Sequence, residues 1–587
     1  MRIIILNILI CILFLNNAYS DNNYFDADFS PIDIDKIKKI WEYKSSVLKS
    51  TQSKPEIYED KIVFLDGLKN LRVISILDGK EVCVNNNDKP DRGPQRGVLF
   101  YNKSEKKIYS IFFRHDQLTI IDINNCKEIK LKNKIKIKQA VSSKLLIHKE
   151  KLIILINGSS PRAYSLIDGK LIWKGKLSKE KNDELKKVNL NKNFSWDVWG
   201  GGVVDDKYNQ IIFSTANPKP SFISTEREGP NLFSNSVVAI DLDTGLYKWH
   251  FQEISHDLLN LDLASPPVIY KENVLQASKN GQLIILNRKD GKNKFDYTVL
   301  EFKKLRDANT ITKYKKFEDW LIFSRQNFFI NDINNLDKKY KDKAEQIISD
   351  SIVNDQKKLV NFKNYIFYGM HGGAEWPGIA VNPQGLVAIP SNNIAWVGKL
   401  TNPDEFDFKE NFILLFKEFK NLFFNDNKKK TIKKIIKISS SIINFKTVDI
   451  EKYKKFVSTK NIPLNKPPWG TLTLIDIKNN IKLWQVPHGD YSFLDDKLVN
   501  TGAEIFGSPI ITRGGVIFLS GTEDQKIRAY DLRDGKEIWS DKLPFVSYGK
   551  LSFAKYKNKN YLIILCTGGS KFKNSKQGDA LVVYQLN

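Results

Sequence analysis

The chain has 587 residues, of which 41% are hydrophobic and 12% aromatic, and this is ample for a packed core. Its formal net charge is +25, but no nucleic-acid-binding motif accompanies the basic residues. We therefore expect a solvated, lysine-rich surface and no nucleic-acid partner. The length allows either two to four ordinary domains or one large repeat fold.

The first twenty residues have the pattern of a secretory signal peptide. A basic start is followed by an apolar run from Ile3 to Leu15 and then by small and polar residues that end at Ser20. The apolar run is short for a membrane span. The pattern predicts cleavage after Ser20 and a periplasmic protein with no transmembrane segment after cleavage. Association with a membrane surface stays open.

Three cysteines remain after this segment, namely Cys83, Cys126 and Cys566. An odd number permits one disulfide at most in an oxidising compartment. Cys83 and Cys126 each lie at or just after the end of a sequence repeat, so a bridge between them is conceivable. Buried free thiols are the expected state. No C-x-x-C-H motif occurs, so no covalent haem is expected.

A repeated pattern runs through the rest of the chain. A β-rich strand ends in Asp, a turn follows, and a short strand comes next, often closed by Trp. The copies are SILDGKEVC (75–83), SLIDGKLIW (165–173), AIDLDTGLYKW (239–249), ILNRKDGK (285–292), LIDIKNNIKLW (474–484) and AYDLRDGKEIW (529–539), with a degenerate copy at 120–129. Glycine supplies the positive φ of a tight hairpin, and the Trp can pack against the next unit. This punctuation favours an all-β propeller over an array of β-sandwiches.

Two lysine-rich segments interrupt the pattern, at about 301–365 and 403–462. Both carry apolar residues at a spacing of three and four, as in DKKYKDKAEQIISDSIV and FKENFILLFKEFKNLFF. The spacing predicts amphipathic helices. We expect them to pack on the rim of the propeller as insertions, and docking on a membrane surface is the alternative.

The stretch from Trp199 to Asp262, together with RGVLFY (96–101), SKNGQLIILNR (278–288), GGAEWPGIAVNP (372–383), PPWGTLTLID (467–476) and TGAEIFGSPIITRGGVIF (501–518), resembles the quinoprotein dehydrogenases. The similarity is strongest to their glucose-dehydrogenase-like branch. It implies an eight-bladed propeller, formed by one domain over 21–587, that binds pyrroloquinoline quinone (PQQ) and Ca²⁺ or another metal at the same site. It also implies oxidation of a sugar or alcohol, with electrons passed to a separate acceptor, either a cytochrome c or a quinone.

The resemblance assigns particular residues to the cofactor, which is flat and carries three carboxylates. A site for it needs an aromatic platform and cationic donors. The matching positions are Arg96, Trp199, Lys279, Glu375, Trp376 and Phe506. Each also has a structural interpretation, such as a blade tryptophan for Trp199 or a solvated surface charge for Arg96 and Lys279.

The catalytic and metal positions depart from the family. Where the family has H-D-x-W-D-x-D, this chain has HDLLNLD, so Asn260 occupies the position of the catalytic Asp. An amide has no titratable group at neutral pH and cannot act as that base. Asn217 and Asp262 match metal-binding positions, but the loop at 157–162 lacks the usual carboxylate. The alternative to a dehydrogenase is therefore a catalytically inactive propeller that serves as a binding or assembly scaffold in the cell envelope.

Overall fold

The computed structural model describes the chain from residue 23 to residue 586 with gaps. The described residues are 23–87, 89, 96–177, 195–222, 227, 229–295, 297, 299–304, 309–314, 318–352, 364–401, 416–417, 432, 435, 449–569, 571–572 and 575–586. The predicted signal peptide at 1–20 and most of the predicted insertion at 403–462 lie outside them. Among the described residues no helix is both long and apolar enough to cross a membrane.

The described chain is all-β and is built from small, mainly antiparallel sheets. The first four come in chain order. Sheet 1 contains Glu56–Tyr58, Lys61–Leu65, Leu71–Ser75 and Glu81–Asn85. Sheet 2 contains Val98–Asn102, Lys107–Arg114, Gln117–Asp122 and Lys127–Ile129. Sheet 3 contains Leu146–His148, Lys151–Ile154, Arg162–Ser165 and Leu171–Lys174. Sheet 4 contains Gly201–Asp205, Gln210–Ser214, Ser236–Asp241 and Tyr247–Gln252.

Four further sheets continue this order. Sheet 5 contains Val268–Tyr270, Asn273–Ala277 and Leu283–Asn287. Sheet 6 contains Ala380–Val381, Leu386–Asn392, Gly470–Asp476 and Ile481–Pro487. Sheet 7 contains Ile510–Thr512, Val516–Leu519, Lys526–Asp531 and Glu537–Lys542, with Tyr24–Phe25 added in parallel at its edge. Sheet 8 contains Ser552–Tyr556, Lys559–Gly568 and Gln577–Leu586, and it is completed by the N-terminal strand Lys38–Lys44.

Hydrophobic clusters join each of these sheets to its neighbours. Ile62 of sheet 1 shares a cluster with Ile563 of sheet 8, and Val63 of sheet 1 shares another with Ile121 of sheet 2. Further clusters link sheets 2 and 3, 3 and 4, 4 to 6, 6 and 7, and 7 and 8. The core is therefore divided among the gaps between sheets, because each sheet has apolar side chains on both faces.

The tryptophans that close the repeats pack on the turn glycines of the following sheet. A Cβ built on Gly245 would lie 2.5 Å from the Trp173 ring, and one on Gly291 would lie 2.3 Å from Trp249. The same pairing joins Trp41 with Gly79 and Trp484 with Gly535. These glycines have φ between 67° and 73°, so the turn needs glycine both for its backbone and for the space above it. The predicted packing of Trp against the next unit is confirmed at these positions.

The cysteines differ from expectation. Cys83 and Cys126 form a disulfide between sheets 1 and 2, and the expectation of free thiols at these two positions is wrong. Cys566 is free and buried. The sequence could not select the pairing, because spacing along the chain does not say which turn the neighbouring sheet presents.

The two predicted insertions contain more strand than expected. The helix Lys338–Ile348 confirms the helical spacing at 337–353. Residues 416–417, 432 and 435 are also helical, but the segments also contain strands and short 3₁₀ helices, so helix throughout both segments is wrong. Val299–Lys304 and Asn309–Tyr314 form a hairpin beside Ile254–Ser255, while Ser351–Ile352, Asn364–Phe367, Trp396–Thr401 and Asp449–Lys455 form one further sheet. Pairing with partners elsewhere in the chain outweighs the local helical pattern.

Short elements complete the described structure. Two small sheets pair Ser195–Trp196 with Pro218–Lys219 and Gly507–Ser508 with Gly549–Lys550. The 3₁₀ helices are Pro31–Lys36, Asp206–Tyr208, Asp319–Leu321, Ile330–Asp332 and Asp496–Leu498. The pair at Ser195–Trp196 holds the segments that carry Trp199 and Asn217 side by side.

Candidate functional site

Three of the predicted aromatic residues meet in one cluster. Trp199 lies between the strands Ser195–Trp196 and Gly201–Asp205, and its ring centroid is 6.3 Å from that of Trp376. Trp376 stacks on Phe506 with 5.1 Å between centroids and 22° between ring planes. Buried side chains complete the cluster: Val546, Tyr548 and Phe572. Segments far apart in the chain thus form one aromatic surface.

Lys279 sits over this surface. Its Nζ atom is 5.1 Å from the Trp199 ring centroid and 2.5 Å from Asp262 Oδ2, and the residue is only 4% exposed. Burial works to lower the pKa of Lys279, but the Asp262 and Glu375 carboxylates outweigh it and raise the pKa. The ammonium is therefore held charged above an indole, which is a favourable cation–π arrangement.

The loop at 372–376 reaches this place because it contains glycine. Gly373 has a φ of 56°, and a Cβ there would lie 2.4 Å from the carbonyl oxygen of Ser278 and 2.5 Å from that of Lys279. The neighbouring Ala374 N–H donates to the Ser278 carbonyl oxygen over 3.1 Å. A side chain at position 373 would push the loop, and with it Trp376, away from Lys279.

Arg96 reaches the same site from sheet 2. Its Nη1 donates to the carbonyl oxygen of Trp199 over 2.6 Å, and its Nη2 lies 3.4 Å from Gln52 Oε1. Burial lowers the pKa of the guanidinium to about 10. Among the described residues no carboxylate forms an ion pair with Arg96. A desolvated cation without an anionic partner is suited to an anionic ligand.

Three further polar groups lie near the aromatic cluster. Trp376 Nε1 is buried and has no hydrogen-bond partner among the described residues. The Glu375 carboxyl is buried, and desolvation raises its pKa against the opposing effect of Lys279, His371 and Lys571. Lys571 Nζ lies 4.8 Å from the Trp376 ring centroid. The site thus combines flat apolar surface, cations and an unsatisfied donor, which fits a flat ligand with several carboxylates.

The predicted metal residues are adjacent, but their polar atoms are engaged. Asp262 Oδ1 accepts from the Asn217 backbone N–H over 2.7 Å, and Oδ2 accepts from Lys279. The Asn217 side chain donates to Ser221 Oγ over 2.9 Å, and its Oδ1 lies 3.4 Å from Lys219 Nζ. No group of three or more His, Cys, Asp or Glu side chains suited to a metal occurs in the described part of the chain.

The loop that carries Asn260 is organised by the neighbouring acid, Asp257. The Asp257 carboxylate accepts from the backbone N–H groups of Leu259 and Leu261, each over 2.7 Å, and from Asn235. Asn260 itself is half-buried and has a φ of 60°, a left-handed conformation that asparagine tolerates. Asp257 therefore has a structural role, while position 260 offers only an amide.

A pair of titratable side chains next to the aromatic cluster, half-buried His371 and buried Glu504, was missed from the sequence. His371 lies 4.7 Å from Trp396 and 6.2 Å from Phe506 between ring centroids, and its Nδ1 is 3.4 Å from Glu504 Oε1. Glu504 also pairs with Lys455 over 2.6 Å. Burial acts to raise the pKa of Glu504, but Lys455 and His371 outweigh it and hold the pKa at about 2.

A signal for this pair was present in the sequence. His371 directly precedes the GGAEW segment, and Glu504 stands two positions before Phe506. Asn392 connects the two regions: its backbone N–H and carbonyl oxygen pair with those of Gly373. Its side chain donates to the Ile505 carbonyl oxygen and accepts from the Ile505 N–H. The segments that matched the family motif therefore carry polar residues of their own into the site.

Comparison with known protein families gives one extended match. The family model described as the PQQ-dependent glucose, ethanol and alcohol dehydrogenase β-propeller domain matches residues 154–562. This range includes the loop at 256–262 and the segments of Trp199, Lys279, Trp376 and Phe506. It begins after Arg96, which lies in the same site.

Curated relatives are similar over most of the chain. A quinate/shikimate dehydrogenase (quinone) from Acinetobacter baylyi is 25% identical over 73% of this chain and 54% of its own length. Quinoprotein glucose dehydrogenase A from Acinetobacter calcoaceticus is 24% identical over 72% of this chain and 53% of its own length. The chain thus spans about half the length of these relatives.

Solved structures share the fold. Quinohemoprotein alcohol dehydrogenase from Comamonas testosteroni matches with a TM-score of 0.64 and 16% identity over 97% of this chain and 79% of that chain. A europium-containing methanol dehydrogenase matches with a TM-score of 0.65 and 15% identity over 97% of both chains. With the family match over 154–562, it follows that the chain belongs to the β-propeller family of PQQ-dependent glucose, ethanol and alcohol dehydrogenases.

Proposed function

We propose that this protein binds PQQ at the aromatic surface formed by Trp199, Trp376 and Phe506 and oxidises a sugar or an alcohol. The observation that carries the proposal is the position of Lys279, whose ammonium lies over the Trp199 ring and beside Asp262. When bound, the quinone would supply a two-electron acceptor. The electrons would then pass to a separate carrier, either a cytochrome c or a quinone.

The residues of the site supply three different contributions to binding. Trp199 and Trp376 offer flat apolar surface to the ring system. Arg96 and Lys279 supply positive charge toward its carboxylates and carbonyl oxygens, and such charge favours the more anionic reduced form. Trp376 Nε1, which has no partner among the described residues, supplies a further donor.

The overall arrangement in this proposal is one ring. Sheets 1 to 8 would be its eight blades in a single domain over 21–587. The segment at 301–365 would be an insertion between sheets 5 and 6, and the segment at 403–462 would be an insertion within sheet 6, between its second and third strands. The sharing of hydrophobic clusters between successive sheets, including sheets 8 and 1, supports this arrangement. Residues 1–20 would direct export to the periplasm, and the apolar stretch FILLFKEFKNLFF would allow contact with a membrane surface.

The step for which this chain lacks the family's residue is acceptance of the proton from the substrate hydroxyl. Asn260 has no group that can take the substrate hydroxyl proton. Asp262 is the remaining carboxylate of the motif, but its two oxygens are held by Lys279 and by the Asn217 backbone. We therefore expect slow turnover, and the inactive envelope scaffold is the second candidate because of Asn260.

The test is a PQQ titration of the purified protein, followed by dye reduction with sugars, polyols, quinate and simple alcohols. Tryptophan fluorescence should be quenched on binding, and the Trp199→Ala variant should lose most of this binding. Trp320→Ala is the matched control, because Trp320 packs against Phe295 away from the site. Failure of wild type to bind PQQ would overturn the proposal. Binding without dye reduction on any substrate would favour the scaffold.

A further inference from the structure

Two lysines surround the place where a quinoprotein would hold its metal. Lys219 Nζ lies 3.4 Å from Asn217 Oδ1, 3.1 Å from Ser221 Oγ and 3.7 Å from Asp197 Oδ2. On the other side, Lys279 Nζ lies 2.5 Å from Asp262 Oδ2. Asn217 and Asp262 touch through the Asn217 N–H, so both ammonium groups bind one connected set of oxygens.

The oxygens that a divalent cation would need are already used by these donors. Ca²⁺ takes six to eight oxygen ligands, with carboxylates prominent among them. Here each carboxylate oxygen of Asp262 accepts a hydrogen bond, and the side-chain oxygen of Asn217, Oδ1, lies beside the Lys219 ammonium. A cation entering this set would have to share oxygens that already accept hydrogen bonds, and it would meet the positive charge of both lysines. The residues present therefore do not fit the metal, although they fit the quinone.

The lysines also match the metal in charge. Two ammonium groups carry the same formal charge as one divalent cation, and both can donate hydrogen bonds to carbonyl or carboxylate oxygens. Lys279 is held from one side by Asp262, and Lys219 reaches the site from the strand Pro218–Lys219. Lys219 is the less fixed of the two, since its side chain is 38% exposed.

We infer that Lys219 and Lys279 take the place of the metal ion and that the protein binds PQQ without a divalent cation. This inference rests on the proposed function, since it assumes that the site receives PQQ. It changes the expected cofactor requirement from quinone with Ca²⁺ to quinone alone. Asn217 and Asp262 become anchors for the two ammonium groups.

The first experiment is a fluorescence titration with PQQ in excess EDTA and, in parallel, in excess CaCl₂. The expected result is the same dissociation constant in both. Tight binding only with CaCl₂ would overturn the inference and leave the proposed function standing. Absence of binding in both would overturn the proposed function and the inference with it.

The second experiment tests directly whether Lys219 contributes to PQQ binding in the absence of a metal. Lys219→Ala removes one ammonium from the oxygens of Asn217 and Asp197. We expect PQQ affinity in EDTA to fall by about tenfold, the loss of one charge-assisted contact, and CaCl₂ to restore it. Lys151→Ala is the control, since Lys151 pairs with Asp243 and the Leu242 carbonyl oxygen in a different part of the fold. A Lys219→Ala variant with unchanged affinity in EDTA would overturn the inference.

Terbium ion provides a readout that does not depend on the quinone. Emission of bound Tb³⁺ sensitised by a nearby tryptophan reports occupancy of an oxygen site next to Trp199. Wild type should show none, and Lys219→Ala should show it. Sensitised emission from wild type that is lost in Asn217→Ala would mean that the metal site is intact, and would overturn the inference. Circular dichroism checks that each variant is folded.

Discussion

Cys83 and Cys126 form a disulfide at the position where, in other sheets, a tryptophan of one sheet packs on a turn glycine of the next sheet. Trp173 packs on Gly245 and donates its Nε1–H to the carbonyl oxygen of Leu242, three residues earlier, over 3.1 Å. Cys83 Sγ lies 3.7 Å from the carbonyl oxygen of Ile123, which likewise stands three residues before Cys126. Cys126 has a φ of 56°, close to the 67° of Gly245. A covalent bond thus replaces the non-covalent contact between sheets 1 and 2.

This equivalence predicts that the two kinds of contact can be exchanged. Removing the bond with Cys83→Ala should lower stability by about 2–4 kcal/mol, the usual contribution of a disulfide. The double variant Cys83→Trp with Cys126→Gly should recover part of that loss, because it rebuilds the Trp-on-Gly contact. Thermal unfolding with and without a reductant checks both. Reductant should destabilise wild type and leave the double variant unchanged; equal stability of the double variant and Cys83→Ala would contradict the equivalence.

The tryptophan contacts themselves can be tested through the glycine beneath them. Gly245→Ala should destabilise the protein by about 1–3 kcal/mol from overpacking, in addition to backbone strain, because its Cβ would lie 2.5 Å from Trp173. Gly158→Ala is the matched control. Its φ of 66° gives the same backbone strain, but its nearest neighbour would be 3.6 Å away. The difference between their unfolding free energies in denaturant isolates the contact, and equal values would count against it.

Stability should depend on pH through Glu253. This residue is fully buried, and desolvation raises its pKa to about 7, against hydrogen bonds from Gln282, Ser278 and Asn280. The folded protein therefore binds this proton more tightly than the unfolded chain. The resulting stability is present below the ordinary value of 4.5 and is lost as pH rises through about 7.

Glu253→Gln should remove this loss. Gln can keep the bond that Glu253 Oε1 accepts from Gln282, while Glu253 Oε2 has no partner among the described residues. Calorimetry should find the variant more stable than wild type above about pH 8, by about 1.4 kcal/mol for each tenfold difference in proton affinity between the folded and unfolded chains. Near pH 4 the two should be equal. Glu150→Gln, at an exposed position, should show no such divergence, and parallel pH profiles for Glu253→Gln and wild type would refute the assignment.

Asn260→Asp should raise the turnover of PQQ-loaded protein. The new carboxylate would occupy the position of the family's base, and a positioned base is worth on the order of 10²–10⁴-fold. Asn260→Gly is the control, since it removes the amide without adding a base, is compatible with the φ of 60°, and should leave the low rate unchanged. Dye reduction at saturating quinone measures both. If Asp262 has become the base, Asp262→Asn will abolish a substantial wild-type rate and Asn260→Asp will add little.

The sequence indicated the repeats well, because they depend on local motifs, and the family resemblance selected segments that the structure brings together. The Asp-Gly turn fixes a hairpin by itself, and Trp199, Lys279 and Trp376 lie in segments with a recognisable order. The features that could not be predicted depend on contacts between residues far apart in the sequence or on strand pairing. The Cys83–Cys126 bond needs two sheets to be neighbours, and the position of Lys219 beside Asn217 depends on a short strand pair. The hairpin after residue 298 overrides a lysine-rich pattern that, taken alone, suits a helix.

The pairing of Lys38–Lys44 with Gln577–Leu586 sets the order in which the molecule can be completed. The first long strand has its partner in the last, so sheet 8 stays one strand short until nearly the whole chain is available. The free-energy cost of closing a loop rises only slowly with its length, by about 0.6 kcal/mol for each doubling. Contacts between residues so far apart in the chain nevertheless form slowly. Trp41 on that strand also packs on Gly79 of sheet 1. A single late event therefore joins both ends of the described chain, and until then the edge strand Gln577–Leu586 is left open to pairing with other chains.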